Sequence, residues 1–487
     1  MHFIVKLFPE ITIKSTPVRR RFVRQLQHNL QNLLKPEIPS VRVMLGWDKL
    51  EVTAELPAGQ ELAAQQRASA ILAHTPGIAY FAPVTVLEFD ALEDLAPRLV
   101  PLWQGVLADR TFCVRAKRNG EHTFNSMDVE REVGRVLNRD CRTGGVKLQD
   151  PDITVRLEIV GHRCYALQNH CPGLGGFPLG SIDSVLSLVS GGFDSTVASY
   201  LTMKRGLVTH FCFFNLGGRA HELGVKEVSY FLWRKFGASH NVRFISIPFE
   251  DVVGEILQKI HQSQMGVVLK RMMLRVAARV ASEMKIKALV TGESVAQVSS
   301  QTLSNLRVID GVTDSLVLRP LITMDKGDII NLARHIGTED FAANMPEYCG
   351  VISVKPTTRA TEQRVAKEEA NFDFDILEHA FNSRRSIAIS EVEQGEGSPP
   401  SIDIVNEIPS GAVVIDIRHP DEEEKQPLAL TATTLKKIPF YQLSKVFPQL
   451  DNTTTYLLYC DKGVMSQLHA AHLSDTGYNN VGVYRPD

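Results

Sequence analysis

Ser184-Val185-Leu186-Ser187-Leu188-Val189-Ser190-Gly191-Gly192-Phe193-Asp194-Ser195 runs an apolar, strand-like stretch into a pair of glycines and then into residues that open a helix. The helix is expected to end near Gly206, and Val208 to Asn215 reads as the next buried strand. Val242 to Ile247 and Ala288 to Thr291 supply further strands, and an apolar period of helical spacing runs between Met265 and Met284. Strand and helix in alternation imply an α/β doubly wound parallel sheet, with its ligand at the carboxyl ends of the strands. At the turn itself, glycine permits close backbone approach, and free N–H groups with the helix dipole attract an anion. A phosphate belongs there.

The Lys-Ser/Thr ending of a P-loop is absent, which argues against simple transfer of a γ-phosphoryl group. Ser-Gly-Gly-x-Asp-Ser at 190–195 instead resembles the pyrophosphate (PP) loop of ATP pyrophosphatases, enzymes that attack the α-phosphate and release pyrophosphate. That resemblance makes Leu188, Val189, Ser190, Gly191, Gly192, Asp194 and Ser195 candidate ATP contacts. It also puts Asp194 beside the leaving pyrophosphate and the Mg2+ that accompanies ATP. Three later segments resemble ATP-site elements of one subgroup: Met265 to Met273 with Lys270, Val290 to Thr302 with Gly292 and Gln301, and Thr323 to Ile330 with Lys326. Lysine there would neutralise charge developing on phosphate.

Glu391 to Asp403 mixes acid, glycine, proline and serine with almost no apolar content, and reads as a linker between a domain at 175–390 and a module at 404–487. Within that module, Ala412 to Ile417 and Tyr456 to Cys460 are strand-like, and a helical stretch from about Ser466 meets a capping Gly477. Cys460 therefore sits in a strand-to-helix turn, where backbone N–H groups and a helix N-terminus favour a thiolate or a persulfide anion. Cys460-x-x-Gly-x-x-Ser resembles the active loop of rhodaneses, and Val414 to Pro420 resembles their Asp-x-Arg strand end. Asp461 and a scarcity of arginine depart from thiosulfate-using members, since a small dianion would be poorly held. A protein persulfide donor fits better.

Upstream, 1–60 and 61–167 read as two smaller α+β units, with a glycine- and proline-rich linker from Cys171 to Ser181. Met1 to Lys35 holds seven Lys and Arg against Glu10 alone, including Arg19, Arg20, Arg21 and Arg24. A second basic stretch carries Arg115, Lys117 and Arg118. Clustered positive charge suits nucleic-acid phosphates, and Phe112 to Ser126 with Asp150 to Arg156 resembles the THUMP RNA-binding domain. His162, Cys164, His170 and Cys171 lack paired Cys-x-x-Cys spacing and read as strand and linker residues, so no protein metal site is expected.

The whole chain of 487 residues has room for three or four domains, and its formal net charge of -2 does not by itself advertise nucleic acid. Seven scattered cysteines, no signal peptide and no membrane-length apolar run lead us to expect a cytoplasmic protein without membrane contact. Taken in order, the segments resemble the bacterial tRNA 4-thiouridine synthetase family in its long form: ferredoxin-like domain, THUMP, PP-loop ATP pyrophosphatase domain, linker and rhodanese. The resemblance implies adenylation of uridine 8 of tRNA and its conversion to 4-thiouridine by sulfur from Cys460, which a cysteine desulfurase loads. It further implies that Cys349, in the loop Pro346 to Gly350, resolves the persulfide to a Cys349–Cys460 redox disulfide, and that the rhodanese also serves a sulfur-carrier protein for the thiazole of thiamine. The alternative is an RNA-binding sulfur carrier without adenylating activity.

Overall fold

The computed structural model describes residues 1–46, 49–167, 170–216, 218–343, 356–393 and 403–418. Beyond these it describes 423–424, 426–428, 430, 434–439, 443, 446–461, 466, 469–470, 473–474 and 477–486. They fall into two compact units, one of Met1–Ser181 with Lys204–Gly206, the other of Ile182–Met203 with Leu207–Asp487. No helix among the described residues is long and apolar enough to cross a membrane.

The first unit is built on β1 (His2–Leu7), β2 (Arg42–Leu45), β3 (Lys49–Thr53), β4 (Ile78–Glu88), β5 (Phe112–Asn119), β6 (Ile153–Val160), β7 (Arg163–Leu167) and β8 (Cys171–Gly175). They form one sheet in the order β2-β3-β1-β4-β7-β6-β5, with β8 also on β4. The long β4 joins the two halves, because Ile78 to Pro83 pairs with β1 and Val84 to Glu88 pairs with β7. The Glu61–His74 helix contributes Ala64, Ala68 and Leu72 to the core that also holds Phe3, Leu26 and Val52. Phe112, Val133, Leu137 and Leu157 fill a separate core beneath the second half.

One expectation fails here. Cys171 to Gly175 is a strand, not part of a linker, and pairs antiparallel with β4. Its glycine content is what permits the pairing: a Cβ on Gly173 would lie 2.4 Å from the Ile78 carbonyl oxygen. Glycine in this strand marks close backbone approach, not irregular structure.

In the second unit, β9 (Ser184–Val189), β10 (Val208–Asn215), β11 (Arg243–Pro248), β12 (Ala288–Val290), β13 (Leu316–Leu318) and β14 (Arg385–Ala388) are ordered β13-β12-β9-β10-β11-β14. All neighbours are parallel except β14, which closes the edge antiparallel to β11. The chain moves from β9 outward through β10 and β11, then returns to the other side of β9 for β12 and β13. The strand order therefore reverses between β9 and β12, and the carboxyl ends of these two strands flank the crevice where such sheets bind ligands. The Met265–Glu283 helix covers this sheet with Val268, Met272, Val276 and Val280, all buried.

The third sheet, of β15 (Ile404–Val405), β16 (Val413–Asp416), β17 (Leu435–Lys437), β18 (Tyr456–Tyr459) and β19 (Val481–Tyr484), is wholly parallel in the order β15-β19-β18-β16-β17. Cys460 follows the central β18. Val392, within the stretch expected to be linker, is buried in a short helical turn at Ile389–Glu393.

Candidate functional site

The 190–195 loop leaves β9 and enters the Phe193–Lys204 helix, with Leu188 and Val189 as the last strand residues. Gly191 has a φ of +82°, which a side chain would oppose. Ser195 Oγ accepts the Ser190 N–H at 3.1 Å, so that amide is not available to a ligand. Thr196 is the first residue to return an N–H into the helix, to the Gly192 carbonyl. The amides of Phe193, Asp194 and Ser195 therefore precede the helical ladder and point out of its positive end.

Asp194 is gripped on both oxygens: Oδ1 accepts from Lys326 Nζ and Oδ2 from Gln297 Nε2, each at 2.7 Å. Lys326 is the first residue of the Lys326–Ile336 helix, and its ammonium also lies 5.6 Å from the centre of the Phe193 ring. Gly292 comes from the neighbouring strand end and packs directly on the Asp194 and Ser195 backbone, where a Cβ would meet the Asp194 carbonyl carbon at 2.5 Å. Lys270 does not contact Asp194 in the described structure. Its Nζ donates to Glu293 Oε1 at 2.7 Å. Gln301 is buried, and its Oε1 has no partner among the described residues. The structure thus brings the loop, Lys326, Gly292, Glu293 and Lys270 to adjoining strand ends.

Three residues here escaped the sequence reading. Glu293 Oε2 accepts from Arg319 Nε at 2.7 Å and Thr291 Oγ1 at 3.0 Å, and Arg319 forks onto Asp310. Burial would push the Glu293 pKa up, but the Lys270 ammonium and Arg319 guanidinium outweigh it and hold the carboxyl below the usual carboxylate range. Gln297 is the third, and it follows Ala296 at a φ of +64°. A non-glycine residue in that region stores about 1–2 kcal/mol, and such outliers cluster where a side chain must be aimed.

The Glu293 shift has a defined sign. With its folded pKa depressed, the group contributes stability that is fully present above the unfolded value, near pH 4.3, and lost as pH falls through the lower folded value. Glu293→Gln is expected to flatten that part of the acid limb in thermal melts between pH 3 and 6. An unchanged limb would place the acid sensitivity elsewhere.

Cys460, 9% exposed, accepts the Ser466 N–H at 3.3 Å, with Ser466 Oγ at 3.5 Å. Residues 462–465 lie outside the described residues. Behind the cysteine, Arg418 forks onto Asp416 and reaches Asp461 Oδ1 at 2.6 Å, tying the end of β16 to the end of β18. Asp461 is therefore committed to Arg418 and to the Tyr459 hydroxyl. Cys349 lies outside the described residues.

On the first unit, Phe22, Leu26, Leu30 and Leu34 bury one stripe of the Thr16–Leu34 helix, leaving Arg20, Arg21 and Arg24 exposed and Arg19 half-buried. Pro17, Arg20, Arg21, Arg24 and Gln25 line a shallow basic concavity. Strand alternation splits the second basic group. Arg115 and Lys117 are exposed on one face of β5, while Arg118 on the other contacts the Gly120 carbonyl and His122. The parallel register sets Arg156 of β6 beside Arg115. Cys164 is fully buried, which raises its pKa to about 12, and His170 stacks on Tyr80. No cluster of three His, Cys, Asp or Glu suited to a metal occurs among the described residues.

Three family models match separate segments of the chain. The family described as Thiamine biosynthesis protein (ThiI) matches residues 180–374, the THUMP domain 88–166 and the rhodanese-like domain 403–486. In fold, a crystal structure of a 4-thiouridine synthetase in complex with RNA and ATP is similar at a TM-score of 0.70, with 24% identity over 80% of this chain and 99% of that one. The tRNA sulfurtransferases of Pseudomonas putida and Vibrio parahaemolyticus are each 52% identical, over 100% of both chains. That of Saccharophagus degradans is 54% identical over 486 residues, again over 100% of both chains. With relatives matched end to end across all of these segments, the chain belongs to the tRNA sulfurtransferase family.

Proposed function

We propose that this protein adenylates the O4 of uridine 8 in tRNA with ATP and replaces that oxygen with sulfur carried on Cys460. The observation that carries the reading is Asp194, held on a glycine loop by Lys326 and Gln297 at the sheet's switch point, in the same compact unit as Cys460. A carbonyl oxygen is a poor leaving group. Attack of O4 on the α-phosphate expels pyrophosphate and turns the oxygen into part of AMP, which departs readily.

In this account the loop amides and the helix N-terminus receive phosphate, while Lys270 and Lys326 balance its charge. Leu188, Val189, Gly292 and Gln301 shape the remainder of the nucleotide site. Asp194 offers oxygen donors that fit the Mg2+ travelling with ATP. A cysteine desulfurase loads Cys460 as a persulfide. The terminal sulfur attacks C4 and AMP leaves, which joins base and enzyme through a disulfide. The Cys349 thiolate then attacks the Cys460 sulfur. The electron pair goes to the sulfur on C4, giving 4-thiouridine and a Cys349–Cys460 disulfide that a reductant must reopen.

Thiazole synthesis for thiamine needs only the persulfide, passed to a sulfur-carrier protein that another enzyme activates. Cys349→Ala and Cys460→Ala, each in a strain lacking the native gene, separate the two roles. Cys460→Ala is expected to lose both 4-thiouridine and growth without thiazole, and Cys349→Ala only the nucleoside. Full 4-thiouridine in the Cys349→Ala strain would remove the resolving role.

The N-terminal half positions tRNA through phosphate contacts in the cytoplasm. Replacing Arg115 and Lys117 with alanine is expected to weaken tRNA binding across all sequences and to reduce the slope of log affinity against log salt by about one for each phosphate left unneutralised. Equal affinity at low salt would move the tRNA path away from β5. A sulfur carrier that binds RNA without adenylating it would bind tRNA equally well but release no pyrophosphate.

A further inference from the structure

We propose that the rhodanese module has a built docking seat on the Gly218–Leu232 helix of the nucleotide domain, keyed by His469 and Glu227. His469 Nε2 donates to Glu227 Oε1 at 2.5 Å across 242 residues of sequence, and both residues are about 6% exposed. A carboxylate and an imidazole are costly to remove from water, and a buried pair is tolerated only where its geometry is specified. Two independent modules touching at random would not bury such a pair. A seat does.

Each partner is connected to the chemistry of its own module. On the nucleotide side, the same helix carries His221, whose ring nitrogen lies 3.2 Å from the carbonyl of Ser190 in the phosphate loop. It also carries Glu222, which accepts from Asn215 at the carboxyl end of β10. Glu227 lies six residues beyond His221, about 9 Å along the helix. On the sulfur side, His469 is three residues beyond Ser466, the residue whose amide and hydroxyl meet the Cys460 sulfur. Ala470 and Leu473 next to it are anchored in the module's core. The seat thus joins the helix that touches the phosphate loop to the segment that holds the sulfur, and gives the sulfur-carrying module one defined station. The partner that fits this surface is the chain's own nucleotide domain.

The seat's existence does not depend on the reaction proposed above, and hydrogen exchange measured on the full-length protein tests it without an activity assay. Breaking a buried pair costs enough to raise local opening on the order of a hundredfold. Glu227→Gln is expected to speed amide exchange at residues 469, 470, 473 and 474 in the other module, and His469→Gln to speed it in 221–232, each by about that factor. Because either change could loosen its own element, only exchange across the seat counts. The exchanged pair Glu227→His with His469→Glu should restore protection on both sides. Acceleration confined to the substituted element would overturn the proposal. So would protection that depends on protein concentration, which would assign the contact to a second copy of the chain.

Discussion

Asp194→Ala is expected to abolish adenylated tRNA, with pyrophosphate release falling by at least about 10²–10³, the cost of removing one preorganised electrostatic group. The effect should be large because Asp194 organises two other groups. Its carboxylate fixes the Lys326 ammonium and the Gln297 amide, and alanine releases both at once. Persulfide loading of Cys460 should be unaffected, since that sulfur follows β18 of a different sheet and is held there by Ser466. Lys326→Ala should lose less, because Asp194 keeps its Gln297 contact. Pyrophosphate release at the parent rate in Asp194→Ala would refute the assignment.

Gly292→Ala is the second large effect, and its cause is purely steric. The added methyl would lie 2.5 Å from the Asp194 carbonyl carbon and 2.7 Å from both the Asp194 carbonyl oxygen and the Ser195 nitrogen. All three are backbone atoms, so the phosphate loop itself must move. A displacement near 1 Å at a reacting centre costs about 10² in rate. We expect adenylation to fall about a hundredfold while the far-ultraviolet spectrum and Cys460 loading stay unchanged. An adenylation rate within about twofold of the parent would show that the loop tolerates the shift and that its backbone position is not critical.

The doubly wound sheet and its loop are readable because they are local. Val208 to Asn215 is rich in β-branched and aromatic residues and free of glycine and proline, and it is a strand over those residues. The helix expected from Met265 to Met284 is found at Met265–Glu283 for the same reason. Cys460 at a strand end followed by Ser466 is equally plain. Glu293 is not, because its meaning lies in Lys270, 23 residues before it, and Arg319, 26 residues after it. Neither spacing has a period. Gln297 depends on the left-handed backbone at Ala296, which no side-chain pattern announces. Arg385 to Ala388 is a four-residue edge strand whose pairing to β11 comes from tertiary position. The Cys171–Gly175 strand is hidden because glycine and proline count against regular structure unless the approaching backbone is known. Local periodicity reveals the elements, while the contacts that aim functional side chains are long-range.

On the proposed reading, ATP-dependent activation and sulfur donation are two steps of one reaction on this chain. A single-turnover experiment with purified full-length protein tests it, using Cys460 preloaded with a radiolabelled outer persulfide sulfur, tRNA, and ATP present or withheld. Label is expected to enter the tRNA as 4-thiouridine only with ATP, with one AMP released for each sulfur transferred. Label reaching the nucleoside without ATP, or sulfur transfer without matching AMP, would show that activation and sulfur donation are separate reactions.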